Sequence, residues 1–129
     1  MNIKQLWILV LFLIAGSFSI EMIAQENIQA VIKKCESIES VEMSVIKSRN
    51  AQTNKIERVI TSISFSSNPS LLNEFLAAFK KDEEKASKVI ENKVNGKLVP
   101  SFYRFKGVAY SFSMDNSGNV SISEIRSDD

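Results

Sequence analysis

Apolar residues follow three different rhythms along this chain. From Leu6 to Ala15 they run unbroken. From Ile28 to Ile38 they return every three or four positions, as Ile28, Val31, Ile32, Cys35 and Ile38, with Lys33, Lys34 and Glu36 between them. That spacing predicts an amphipathic helix over residues 27–38, with Asn27 as its N-cap. The third rhythm has a period of two. Val41, Met43 and Val45 alternate with Glu42 and Ser44, which predicts a half-buried strand. A polar link, residues 48–54, leads to a second strand from Ile56 to Phe65, rich in β-branched residues, and a short link makes a hairpin the default pairing.

Ser67, Asn68 and Pro69 mark a second helix start, a capping residue followed by proline at the first helical position. Leu71, Leu72, Phe75, Leu76 and Phe79 form its apolar face. Residues 82–92 offer only Ala86, Val89 and Ile90, and read as a continuation of that helix or a bent second segment. Asn95 and Gly96 signal a turn. Leu98 to Phe105 reads as a strand in which Pro100 requires an edge position or a bulge. Val108, Tyr110, Phe112 and Met114 alternate cleanly with small residues, Asp115 to Asn119 supplies a hairpin loop, and Val120 and Ile122 resume the alternation. Residues 127–129 are expected to fray.

The fold class that follows is α+β: two amphipathic helices packed on one face of an antiparallel sheet of four or five strands, in the order α-β-β-α-β-β-β. Val108, Tyr110, Phe112, Met114, Val120 and Ile122 should share a buried face with Ile28, Ile32, Leu72, Phe75, Leu76 and Phe79. A helix followed by a hairpin occurs twice, an architectural repeat without a shared residue motif.

The unbroken run near the start has the layout of a secretory signal peptide. Lys4 precedes it, and a more polar stretch ends on the small residue Ala24. As a helix, Leu6 to Ala15 would span roughly 15 Å, about half the hydrocarbon core of a bilayer, and Glu21 ends the apolar stretch early. The expected organisation is a signal peptide at 1–24 and a single domain at 25–129, exported to the periplasm or the cell exterior. Membrane contact is expected only through an uncleaved signal segment. Of the 129 residues, about 105 then remain, one domain's worth.

Composition narrows the chemistry. Lys and Arg number 16 against 15 Asp and Glu, and the two signs are interspersed, which argues against a nucleic-acid partner. The chain contains no histidine, which excludes Ser-His and Cys-His catalysis and the commonest transition-metal ligand. A single cysteine, Cys35, forms no internal disulfide and no thiolate cluster. No cofactor is expected.

Few residues stand out as carriers of chemistry. Cys35 lies on the apolar stripe of the first helix and reads as a small buried hydrophobe rather than a nucleophile. Asp82, Glu83 and Glu84 could be paired carboxylates, but neighbouring helical positions diverge. Lys80, Lys81, Lys85 and Lys88 surround them, so a solvated, ion-paired helix face is expected, with Glu84 and Lys88 at i, i+4 spacing. Asp115 to Asn119 resembles the start of a calcium loop, yet Val120 and Arg126 occupy the places where glycine and glutamate belong. Asn119, Val120 and Ser121 match a glycosylation acceptor pattern that arises often by chance. Of the aromatic series Phe102, Tyr103, Phe105, Tyr110 and Phe112, the residues retained as candidate surface contacts are Tyr103 and its neighbour Arg104.

From Arg49 to Ile125 the chain resembles small exported proteins of Bacteroidota classed as a domain of unknown function. The likeness rests on the segment from Arg49 to Lys55 before the strand ending Ile63, Ser64 and Phe65, on Phe75 to Asp82 before Ala86, and on Tyr110 to Ser113 near the C-terminal turn. It brings no activity and no functional residue with it. A looser architectural similarity is to periplasmic β-lactamase-inhibitor-like modules. The expected function is a non-catalytic binding or accessory module of the bacterial cell envelope, not an enzyme, with an envelope protein or small ligand as partner. The alternative is a small hydrolase that acts on a glycan through carboxylates alone.

Overall fold

The structure, a computed structural model, describes residues 25–127. The segment read as a signal peptide and the last two residues lie outside the described residues. Two helices, α1 (Glu26–Cys35) and α2 (Pro69–Asp82), accompany six strands: β1 (Glu42–Arg49), β2 (Ile56–Ser66), β3 (Lys88–Val94), β4 (Lys97–Phe105), β5 (Val108–Met114) and β6 (Asn119–Ser127). The strands form one sheet in the order β1-β2-β6-β5-β4-β3, and every neighbouring pair is antiparallel. The mixed α+β class and the run of elements agree with the sequence pattern, with one strand added.

That strand is β3. Residues 82–92 do not continue the helix. A single 3₁₀ turn at Glu83–Lys85 ends it, and Ala86 turns the chain to an extended conformation. Val89, Ile90 and Val94 suit a strand better than a helix. Asn95 and Gly96, at φ 50° and 80°, then make a two-residue hairpin turn into β4. Because Lys88 opens β3, the expected helical pair with Glu84 does not form; Lys80 reaches Glu83 instead, at 3.1 Å. Pro100 stands opposite Glu91 where the β3–β4 register slips between Ile90 and Glu91, so the bulge absorbs its missing N–H.

The C-terminal strand takes the centre of the sheet. β6 lies between β2 and β5, and Ser127, expected to fray, pairs with Arg58. The core fills one side of this sheet. Phe79 on α2 meets Tyr103, Tyr110 and Phe112 edge to face at centroid distances of 5.1, 5.9 and 5.9 Å, and Phe65 stacks on Phe75. Ile28, Ile32 and Cys35 from α1 join the same cluster, with Leu72, Leu76 and Met114 half-buried at its margin.

The helix starts differ in how they are capped. Asn68 Oδ1 accepts from the Leu71 N–H at 3.1 Å, as its place before Pro69 predicts. For α1 the expected cap, Asn27, lies inside the helix, and Gln25 at the N-cap position makes no side-chain cap bond. The cap comes from α2. Asp82 Oδ2 accepts from the Ile28 N–H at 2.8 Å, and Asp82 Oδ1 accepts from the Asn27 side chain at 2.7 Å and its backbone N–H at 3.4 Å. Asp82 is therefore buried, contrary to the solvated face expected for it, because the first-turn donors and positive dipole end of α1 require an anion there.

Candidate functional site

Successive strand residues point to opposite faces, so the register divides this sheet into a face under α1 and α2 and a face that carries no helix among the described residues, the helix-free face. The helix-covered face holds one buried polar cluster. Gln29 on α1 donates to the Tyr110 hydroxyl at 2.5 Å and to the Glu124 carboxylate. Tyr110 donates to Glu124 Oε2 at 3.0 Å, and Arg126 Nε donates to Glu124 Oε1 at 2.9 Å. These contacts satisfy a carboxylate that burial would otherwise penalise. The composition gave no warning of Glu124; its position in phase with Val120 and Ile122 was the available signal.

Both tyrosines of the chain are held neutral. Burial pushes Tyr103 up to about 12, reinforced by Glu83 and Glu91. Burial pushes Tyr110 higher still, with the Glu124 charge adding to it. In the unfolded chain both should ionise near pH 10. Folding therefore holds these protons, so their stabilising effect is whole below about pH 10 and is lost as pH rises toward the folded values. An ultraviolet absorbance titration of the native protein should show no tyrosinate near pH 10, whereas the same titration in denaturant should show both groups; a native transition near pH 10 would contradict the burial.

Tyr103 requires a correction. It was expected at the surface beside Arg104, but adjacent residues of a strand cannot share a face. Tyr103 is 1% exposed against Phe79, while Arg104 points the other way and is exposed. The aromatic residue that does share a face with Arg104 is Phe102, which the alternation from Phe102 to Phe105 could have identified. Cys35 is buried as expected, and its thiol is raised above its ordinary range by burial first and by Glu74 second. The Asp115 loop is a hairpin turn. Asp115 Oδ1 accepts from the Ser117 and Asn119 N–H groups at 2.8 and 3.0 Å, and Gly118 takes a φ of 84°. The Asn119 contacts, side chain first, hold the exposed Asp115 carboxyl below its usual range. Among the described residues no group of three or more acidic or cysteine side chains is placed to hold a metal ion, and no helix is long and apolar enough to cross a membrane.

The helix-free face is ordered in rows that run across the strands. One row reads Ile46, Ile60, Ile125, Ala109, Arg104 and Lys88; the next reads Ser44, Ser62, Ser123, Ser111, Phe102 and Ile90; a third reads Glu42, Ser64, Ser121 and Ser113. Serine hydroxyls thus flank an apolar stripe, and basic side chains cluster at its β3–β4 end. A cleft of about 360 Å³ opens on this face between Arg58 and Arg104. A smaller one, lined by Glu42 and the serines of β1, β2 and β6, lies farther along the sheet.

This face is chemically mixed, and sequence reasoning reached only Arg104 of it. No curated protein and no solved structure matches the chain. A family model does match over residues 25–125, from the start of α1 into β6, and the chain therefore belongs to the family described as a domain of unknown function, DUF5024.

Proposed function

We propose that this chain is an exported, non-catalytic binding or accessory module of the bacterial cell envelope, working through the helix-free face of its sheet. The observation that carries this reading is the make-up of that face. An apolar stripe of exposed Ile46 and half-buried Ile60 and Ile125, on which no described helix lies, runs beside serine rows and ends at Arg104 and Lys88, basic side chains unpaired among the described residues, the mixed composition of a recognition surface. Two further features support it. Both carboxylates buried among the described residues are engaged in structure, Asp82 on α1 and Glu124 on Tyr110, Gln29 and Arg126. A carboxylate hydrolase needs two carboxyl groups facing each other across a pocket, and the clefts along this sheet are each lined by at most one acid among the described residues, Glu42 or Glu57. Export rests on the run from Leu6 to Ala15 ending at Ala24, and on the resemblance to exported Bacteroidota proteins.

The test pairs two measurements on the native host. Intact mass of the protein from the periplasmic fraction should correspond to a chain beginning near Gln25; a full-length mass in the membrane pellet would refute export. The domain beginning at Gln25 should then capture a reproducible, saturable partner from periplasmic extract, and Ile125→Asp should weaken that capture by about tenfold while leaving the circular dichroism unchanged. Glycan turnover abolished by one Asp or Glu substitution in a folded variant would replace the module with the hydrolase.

A further inference from the structure

The cleft between Arg58 and Arg104 has a composition that selects its ligand. Its floor is Ala109 and Ile125, Gly107 stands at its rim, and Phe102 supplies an aromatic wall. The small residues Gly107 and Ala109 lower the floor between larger neighbours. Arg58 on β2 and Arg104 on β4 approach from strands separated by β6 and β5, roughly 14 Å across the sheet and offset by one row along it, and both residues line the same opening. Neither guanidinium has a hydrogen-bond or ion-pair partner among the described residues, in contrast to Arg126, which is held by Glu124. Among the described residues the lining contains no acidic side chain. Two planar donors without partners, set over an apolar floor, form a receptor for an anion attached to an apolar body.

We infer that this cleft binds a small amphipathic anion, with a carboxylate, sulfonate or phosphate group held between Arg58 and Arg104 and an apolar ring or chain lying on Ala109 and Ile125 against Phe102. The inference rests on the binding-module reading and supplies its ligand class. Charge alone would hold any anion weakly at an exposed site, and the apolar floor alone would hold any hydrophobe. Selectivity comes from requiring both at once. The size of the cleft suits a single small molecule.

Three probes separate the contributions: anilinonaphthalene sulfonate, its uncharged relative N-phenyl-1-naphthylamine, and inorganic sulfate. The anionic fluorophore should bind the folded domain at one site. The uncharged relative and sulfate alone should each bind at least about tenfold more weakly. Arg58→Gln and Arg104→Gln should each reduce fluorophore affinity about tenfold, since each removes a charged hydrogen-bond donor. Thermal melts and near-ultraviolet circular dichroism confirm that the variants remain folded, so that fluorophore uptake by a loosened core is not mistaken for the site. Dimyristoyl phosphatidylglycerol vesicles distinguish the sources of the anion. Vesicle binding lost in the double variant places it in a lipid headgroup, whereas fluorophore binding without vesicle binding places it on a free small molecule. Equal affinity for the charged and uncharged fluorophores, or a double variant that binds as well as the native chain, overturns the inference. Either result would leave the periplasmic capture experiment to decide the module reading separately.

Discussion

Replacing Phe79 by alanine is expected to cost about 3–5 kcal/mol and to leave the domain largely unfolded. Phe79 is 1% exposed and joins α2 to two strands at once through Tyr103 on β4 and Tyr110 and Phe112 on β5. Removing the ring takes away its own buried surface and three edge-to-face contacts, and leaves a cavity that stiff neighbouring strands cannot fill. A domain of this size holds on the order of 5–15 kcal/mol in total, so the loss consumes much of the margin. The matched control is Phe102→Ala, the same chemical change on the helix-free face, where the ring is only half-buried. Urea denaturation followed by far-ultraviolet circular dichroism measures both, because the sole tryptophan, Trp7, precedes the folded domain. Equal losses at the two positions would mean that the core is not on the α2 side.

Asp82→Ala is expected to cost about 1–3 kcal/mol and to lower the thermal midpoint by roughly 10 °C. The substitution strips the Ile28 N–H of its acceptor inside the fold and deprives Asn27 of two contacts. It also removes the negative charge at the positive end of α1. Asp82→Asn should restore less than half of the loss. One of its two terminal atoms becomes a donor facing a donor, and the charge stays absent. Glu84→Ala, at an exposed position two residues along, should leave the melting curve unchanged within error. If Asp82→Ala melts with the native protein, α1 is held by its apolar face alone.

These two residues were not equally legible. Phe79 belongs to a run with helical spacing, so its burial could be read within one element. Asp82 looked like its neighbours Glu83 and Glu84. What separates it from them is a helix start 54 residues earlier in the chain, and no local pattern encodes that distance. Glu124 is a similar case, since its partners Gln29 and Tyr110 lie on other elements. Tyr103 failed for another reason. Its alternation with Arg104 was present in the sequence, and applying the period of two across Phe102 to Phe105 would have turned it inward.

By itself, the sequence determined the helix start at Asn68 and Pro69, the turns at Gly96 and Gly118, and the inward face of β5, from Val108 to Phe112. Each of these is settled by the φ preferences or side-chain period of a few adjacent residues. Only the tertiary structure decided that β6 enters the middle of the sheet, that Asp82 caps α1, and that Arg58 and Arg104 open onto one cleft. Those outcomes depend on which distant elements pack together. Such pairings are selected by the joint burial of one apolar face after the chain has closed its loops, and residues far apart in sequence share no local signature of having met.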